Sequence, residues 1–455
     1  MESQSALTQL VFEGMIDRPV IVQPSAGMMS SDAGLIPLRE LDRRWKFTER
    51  FADCLDDPRI DPDHTQAEMI RQRLFGIIAG YEDCNDHDDL RSDPVFKIVA
   101  QRSPGDDDLA SQPTLSRFEN SVTPAMLMRL MEFHITTGVE RLQQHHGGEL
   151  PDEVILDIDP TDDATHGRQQ LTLFHGYYKQ HQYFPQIISE PTTKHVFLAW
   201  LRPGAVHPSL GADDDLLRVV TALRNGKPDV SIHVRGDCGF GVPKMYDVCE
   251  ENGLSYTFGI STNARLKVLA QGLMDQAVAQ YEQTSQKQRL FTHFDYQAES
   301  WPHPRTVVAK AECQAVGTNL RFVVTSRKVT SDEQAEDVYD AYIQRGESEQ
   351  RNDELKNGLS MDRLSCHRFA ANFWRLLLHV AAYNLLNAFR DADEIPETLR
   401  RAQPQTWRVR LIKVAARVIQ STRRTLIEVS SSWPHWTIYT QATQRAQTFP
   451  LPGHT

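Results

Sequence analysis

Apolar residues recur at helical spacing through the first third of the chain and at strand spacing from about residue 150 onward. LIPLRELDRRWKFTERFADCL (35–55) and QAEMIRQRLFGIIAGYED (66–83) repeat apolar positions three and four apart, which predicts amphipathic helices. SQPTLSRFENSVTPAMLMRLMEFHITTGVERLQQ (111–144) carries two helix-start signals, at SQP and at SVTP, before a long amphipathic run. A helix pair of this kind can read DNA, although plain packing is its commoner use. Beyond residue 150 the texture changes. EVILDIDPTDD, LTLFHGYYKQ and YFPQIISEPTTKHVFLAWLRPG read as strands bounded by Gly and Pro. ADDDLLRVVTALRNG reads as a helix, SIHVRGDCGF as a strand, VPKMYDVCEENG as a helix and LSYTFGIS as a strand. The order predicts an α/β layout with an early antiparallel meander followed by alternating elements.

The spacing of LKVLAQGLMDQAVAQYEQ then gives way to three alternating runs, RLFTHFDYQAES, RTVVAKAECQA and LRFVVTSRK. This predicts a β-rich insertion over 264–330, a helical region over 331–430 and a loose, Pro-rich tail over 431–455. With a helical region over 1–150 and a first core segment over 151–263, these are the expected divisions of the chain.

Composition changes the picture in two ways. At 40% hydrophobic and 24% charged over 455 residues, the chain can bury a large core, and no apolar run approaches the length of a membrane span. MESQSALTQLVFEG has neither a basic start nor a long apolar stretch, so no signal peptide is expected. The six cysteines lack a CxxC pair, which fits reduced cytosolic thiols rather than a zinc site. The net charge of −12 argues mildly against nucleic acid, but DNA is held by local surfaces. Acid is concentrated at DCNDHDD (83–89), GDDD (105–108) and ADDD (212–215), whereas Arg363–Arg424 holds twelve Lys and Arg against four Asp and Glu. That basic stretch fits a DNA surface and a solvated helix face equally well.

Three acids bear on chemistry. Asp159 in LDIDPTDD and Asp237 in HVRGDCGF sit at strand ends, where α/β sheets bind ligands. In DAYIQRGESEQRNDELKNG, Tyr342, Arg345, Glu349 and Lys356 fall within roughly 60° of one helix face. Carboxylates can hold the divalent ions used in phosphodiester hydrolysis, and cations on the same face can bind phosphates. Taken alone, the helix would read as an exposed face laced with ion pairs. Asp157 lies two residues before Asp159 and faces the same way, so it is the alternative first acid. Asp162 and Asp163 lie past the strand end. The acids around His87 read as a solvated helix end, Cys238 as a small core residue, and His166 and His175 as structural.

The stripe Tyr342-x2-Arg345-x3-Glu349-x6-Lys356 resembles the signature around the third acid of bacterial insertion-sequence transposases with a DDE triad. LDIDPTDDATHG and VRGDCGF resemble the blocks around the first and second acids of that group, and SQPTLSRFEN and LFHGYYKQHQYFPQ are also similar to it. The resemblance covers roughly residues 30–430. It favours Asp159 over Asp157, because Asp159-Pro160-Thr161 matches the Asp-x-Thr of the first block. It implies Asp159, Asp237 and Glu349 as metal-binding catalytic residues, with Mg²⁺ or Mn²⁺ as cofactor. It implies an RNase H-like core interrupted by the β-rich insertion, with a helical, DNA-binding N-terminal region and a helical C-terminal part. The implied substrates are terminal inverted repeats and target DNA. The implied assembly is a homodimeric synaptic complex in the bacterial cytoplasm, at the nucleoid and away from the membrane. Tyr342, Arg345 and Lys356 would contact phosphates, and Trp301, in ESWPHPRT, could stack a flipped base, although such a tryptophan is more commonly packed. The alternatives are a nuclease that does not join strands and a DNA-binding repressor whose acids are structural.

Overall fold

A computed structural model describes residues 9–391 and 395–450; the first eight residues of the expected leaderless start and the last five of the expected tail lie outside the described residues. The chain divides into two units. The larger comprises Asp53–Asp56 and Glu119–Asp391, together with the short end segment from Pro450. Its centre is strand β1 (Glu153–Pro160), whose even positions Val154, Leu156 and Ile158 are apolar and whose odd positions Asp157 and Asp159 are carboxylates, all of them buried. A strand buried on both faces is an interior strand, so its charges need partners of their own.

After β1 the chain makes β2 (Asp163–Ala164), β3 (Leu173–His175) and β4 (Gln180–Tyr183), then β5 (Gln186–Ser189) and β6 (Val196–Trp200). The expected meander exists as β1-β5-β6, but LTLFHGYYKQ is not part of it. That segment folds into a separate three-stranded sheet, β2-β4-β3. The reason is visible in its side chains: Leu171, Leu173 and Phe174 are exposed, so the segment has no second buried face to offer an interior position.

Strands β7 (Ser231–Gly236) and β8 (Ser255–Ile260) then pair in parallel, β7 also running parallel to β1. Strands β9 (Gln288–Tyr296), β10 (Arg305–Gln314) and β11 (Gly317–Thr325) follow, and β11 pairs antiparallel with β8. The eight-stranded order is therefore β9-β10-β11-β8-β7-β1-β5-β6, and the expected β-rich insertion continues the central sheet.

Helices cover this sheet. Helix α1 (Pro124–His145) starts at Thr123, whose hydroxyl accepts from Met126 N, and packs on β6. Gly138 makes that approach possible, since a methyl group there would lie 2.7 Å from the Phe197 ring. Helices α2 (Ala212–Gly226) and α3 (Pro243–Glu251) connect the parallel strands, and α4 (Ala264–Leu269) and α5 (Gln271–Thr284) precede β9. Helix α6 (Asp332–Ile343), helix α7 (Gly346–Asp353) and a π-turn (Glu354–Gly358) return the chain to β1, and α8 (Phe369–Arg390) is buried almost throughout. Among the described residues, no helix is long and apolar enough to cross a membrane.

The smaller unit joins Leu35–Trp45, Gln66–Ala79 and neighbouring helices to strands from both chain ends, with Ala416–Gln420 between Met29–Ser30 and Thr425–Val429. Within it, His87 is buried against Arg73 Nη1 at 3.2 Å, so the acidic segment 83–89 is not wholly solvated. The segment expected to be a loose tail contains the helix Trp436–Thr448, packed against Leu35–Trp45. Ala442 and Ala446, four apart, bury its face, and the Phe449 ring lies tilted against Trp45 with centroids 5.4 Å apart.

Gly204, at the exit from β6, holds the small sheet against this frame. A methyl group there would meet Gln182 O at 1.9 Å and Leu173 O at 2.7 Å, and both are backbone atoms that cannot step aside. Gly204→Ala is expected to cost at least about 2 kcal/mol, read as a lowered thermal midpoint.

Candidate metal and catalytic site

Asp159 ends β1, and Asp237 follows β7 one residue after the register pair Gly236–Ile158. The two carboxylates therefore stand side by side at the ends of adjacent parallel strands. The Asp237 turn is fixed by its own Oδ1, which accepts from Gly239 N at 2.8 Å. Asp159 is buried, and its side chain is gripped from the helical segment beyond α6. Arg345 Nη1 lies 3.0 and 3.2 Å from the two Asp159 oxygens, and Ser348 Oγ donates to Oδ2. Burial outweighs these partners and pushes the Asp159 carboxyl up to about 7, with Asp237 and Asp157 adding repulsion. Burial acts to lower the Arg345 guanidinium, but Asp159 and Tyr342 beside it hold it above its usual range.

Asp157 has a different environment. It is fully buried between Arg235 and Arg351: Arg235 Nε and Nη2 reach its oxygens at 2.7 and 3.0 Å, and Arg351 Nη2 donates to Oδ2. Arg351 Nε also donates to Ser189 Oγ on β5 at 3.0 Å. Two guanidiniums take up the acceptor capacity of this carboxylate and stitch β1, β5, β7 and α7 together.

The expected single stripe is broken. Helix α6 ends at Ile343, Arg345 sits in the turn, and Gly346 begins α7. Backbone bonds Arg345 N to Tyr342 O, Glu347 N to Gln344 O and Ser348 N to Arg345 O tighten the junction into three-residue steps. Gly346 has the backbone freedom and poor helix propensity that suit a break there. Lys356 then falls on the π-turn. As a result Glu349 does not stand beside Asp159 and Asp237. Its side chain is 71% exposed, and Oε1 lies 3.5 Å from Arg345 Nη2. Among the described residues no three His, Cys, Asp or Glu side chains are gathered as one metal cluster. The guanidinium of Arg345 links the first acid to the third. The oxygen donors suit a hard divalent cation.

The other expected contacts are also redirected. Lys356 Nζ pairs with Asp162 Oδ1 at 2.9 Å, and Gln180 on β4 donates to the other oxygen of Asp162 at 3.2 Å. The Tyr342 hydroxyl lies over Gly259 on β8, where a methyl group would come within 2.8 Å of it and within 2.9 Å of Cys238 N. Cys238 itself is exposed, not a core residue, because it follows the strand end into the open turn. Trp301 is not presented for base stacking: it is buried, with Tyr246 and Tyr296 at 5.2 and 5.6 Å and Arg305 over its ring at 5.4 Å. In the C-terminal basic stretch, Arg375 pairs with buried Glu119 at 2.7 Å and Arg390 with buried Glu354 at 2.7 Å. These two are buried, whereas Arg363, Arg368, Arg401, Arg410, Arg417, Arg423 and Arg424 of the same stretch are exposed.

Sequence reasoning missed Ser348, Arg351 and Arg235. The first two lie three and six residues after Arg345, in the turn-and-helix segment that a single unbroken stripe does not describe. Arg235 is the register partner of Asp157 across β7 and β1. Asp163, set aside in the sequence as lying past the strand end, is buried with neither carboxyl oxygen hydrogen-bonded. Burial, reinforced by Asp362, pushes that carboxyl up to about 8, against the pull of Lys356.

Two stability predictions follow from these environments. Asp157→Ala leaves two buried guanidiniums unpaired and is expected to cost about 3–5 kcal/mol, whereas Asp159→Asn, which removes a carboxylate held up by burial, should melt close to wild type. For Asp163 the folded value lies above the unfolded one, so its stabilising protonation is present below about pH 4 and lost as pH rises to about 8. Asp163→Asn should therefore raise the melting temperature by a few degrees at pH 8, with the gain vanishing near pH 4; an equal shift at both pH values would contradict this.

Comparison with known proteins places the chain. No curated protein matches it by sequence. Among solved structures, a piggyBac transposase synaptic complex with hairpin DNA is similar over 82% of this chain and 84% of that chain, at 11% identity and a TM-score of 0.35. The family model described as transposase DDE domain group 1 matches residues 12–451. The match runs through both strand-end aspartates and the Arg345–Glu349 helix, and the chain belongs to this family of DDE transposases.

Proposed function

We propose that this transposase cuts DNA at the terminal inverted repeats of its own mobile element and joins the freed 3′-OH to target DNA, with Asp159, Asp237 and Glu349 holding divalent cations, Mg²⁺ or Mn²⁺. The observation that carries this reading is the pair of carboxylates at adjacent strand ends, tied through Arg345 to a third carboxylate on a returning helix. The strand order β6-β5-β1-β7-β8, with helices after β6 and β7, accords with an RNase H-like core. Bound divalent cations would polarise the scissile phosphate and make an attacking oxygen more nucleophilic.

The chain's own residues do the rest. Ser348 and Arg345 fix the direction in which Asp159 presents its oxygens. Arg345 reaches Glu349 from the same guanidinium, so closing the third acid onto the pair requires Arg345 to exchange a carboxylate for a DNA phosphate. Lys356, held by Asp162 beside the strand end, offers a second cation to the DNA backbone. Asp157, saturated by two arginines, positions the strand and stays out of the chemistry. Double-stranded DNA, bound partly through the helical N-terminal region, and a second copy of the chain in a synaptic dimer complete the reading.

The test is cleavage of a labelled duplex ending in the element's own repeat, in Mg²⁺. Wild type should nick at the repeat boundary and join the 3′-OH to a second duplex. Glu349→Gln should bind the duplex and lose cutting by about a hundredfold or more. Equal cutting by both proteins would overturn the assignment, and cutting without joining would reduce it to a nuclease.

A further inference from the structure

The smaller unit contains a cavity of about 330 Å³ walled by cations. Helix Leu35–Trp45 brings Arg39, Asp42 and Arg43 to it, helix Gln66–Ala79 brings Arg71, and Lys46 and Gln101 come from two turns. Each of those turns ends a helix in left-handed backbone. Lys46 caps Leu35–Trp45 with φ of 54°, and Gln101 follows Pro94–Val99 with φ of 77°. Glycine is the usual residue at such a position, because it adopts the conformation without strain. Here two long polar side chains occupy these positions, and strain of this kind is retained where the side chain has a use.

Gln101 shows the use. Its Oε1 accepts from Arg71 Nη1 at 2.8 Å and from Arg39 Nη2 at 3.4 Å. Two guanidiniums thus converge on one neutral amide oxygen, where an ionised oxygen would form hydrogen bonds roughly twice as strong. Asp42 does not fill that role. It is buried, Thr48 N and Oγ1 donate to its two oxygens at 2.7 and 2.8 Å, and Arg39 Nη1 lies 3.2 Å away. Arg71 is buried too, and its Nε donates to Thr48 Oγ1 at 3.0 Å. Its Nη2 and the exposed Lys46 ammonium have no hydrogen-bond partner among the described residues. Burial pushes the Arg71 guanidinium down and Arg39 beside it adds repulsion, against a weaker pull from Asp42 and Glu49. Arg43 is already paired with Glu40 at 2.7 Å, and Glu49, which also lines the cavity, faces solvent. In all, four cations and two carboxylates line the cavity, on a chain whose net charge is −12.

Donors that converge in a recess on a neutral acceptor describe an oxyanion site. The cavity falls in the size range of small-molecule pockets and is large enough for a phosphate with a small organic group attached. A phosphodiester within a duplex carries a sugar on each side and cannot turn into a recess. A terminal phosphate can, and near pH 7 it carries close to two negative charges. We propose that this cavity binds a dianionic phosphate group, free or as a small phosphomonoester, which displaces the Gln101 amide and bridges Arg39 and Arg71, with Lys46 as the third cation. The site goes beyond the DNA-cleaving function and does not rest on it.

The test is calorimetric titration of the full chain with inorganic phosphate, at an ionic strength held constant with chloride. Wild type should bind one phosphate per chain, and its melting temperature should rise as phosphate is added. Gln101→Glu sets a carboxylate where the anion would sit. It should weaken phosphate binding at least about tenfold and melt higher than wild type in the absence of phosphate. Gln101→Gly removes both the placeholder and the strain, and should bind phosphate at least as tightly as wild type. Lys46→Gln, at an exposed position, should weaken binding by about threefold to tenfold and carries the test if Gln101→Glu fails to fold. Three results would overturn the proposal. The first is no saturable phosphate binding by wild type. The second is wild-type affinity in both Gln101→Glu and Lys46→Gln. The third is a blunt duplex without terminal phosphates that competes with phosphate and loses affinity in the same variants, which would make the cavity a contact for the DNA backbone. The titration contains neither Mg²⁺ nor a cleavable repeat, so its failure leaves the cleavage reading standing, and failure of wild type to cut leaves the cavity proposal standing.

Discussion

The ion triad of Asp157, Arg235 and Arg351 is the constraint on which the site depends. A carboxylate buried at the centre of a sheet is untenable without partners, and here its two partners come from the neighbouring strand and from a helix nearly two hundred residues later. Because each guanidinium bonds in a fixed fork, the triad sets distance and rotation as well as charge. Arg351 brings the first turns of α7 over the end of β1, which is why Ser348 and Arg345 fall on Asp159. Arg235 aligns β7 with β1, which is why Asp237 emerges level with Asp159. Two acids on one strand, two residues apart, thus have different partners: one holds the frame, the other meets Arg345 and Ser348 at the strand end.

Charge balance around Asp159 gives the site its character. Asp159, Asp237 and Glu349 share one nearby guanidinium, that of Arg345, whose two ends touch different acids. The same cation stabilises the carboxylates as they stand and competes with anything positive that would take its place. Lys356 and Asp162 form a second, separate balance next to it, leaving Asp163 behind them with no cation in contact.

Much of this was legible in the sequence because it follows from periodicity. The alternation in EVILDIDP, the Gly stop after ALRNG and the acids at strand ends gave the sheet, the crossover helix Ala212–Gly226 and the Asp159–Asp237 pair. The position of Glu349 was legible only in part, since a 100° rotation per residue assumes an unbroken helix and Gly346 breaks it. What could not be read was anything set by partners distant in sequence. No local pattern tells that Trp301 is enclosed by Tyr246 and Tyr296, that Arg375 is spent on Glu119, or that three strands over 288–325 join an existing sheet edge. LTLFHGYYKQ looked like a sheet strand because its residues favour extended backbone; tertiary burial, which propensity does not report, sent it elsewhere.

The span between the members of the triad also bears on how the protein is made. During synthesis β1, β5 and β7 emerge long before Arg351, and until then Asp157 has only Arg235 for company in the middle of a forming sheet. Contacts of such separation form late and slow folding, since the loop between them must close first. A ribosome that stops short of residue 351 releases a chain whose sheet centre is unbalanced. A fragment ending before Arg351 therefore keeps a carboxylate at the centre of its sheet with one guanidinium in place of two.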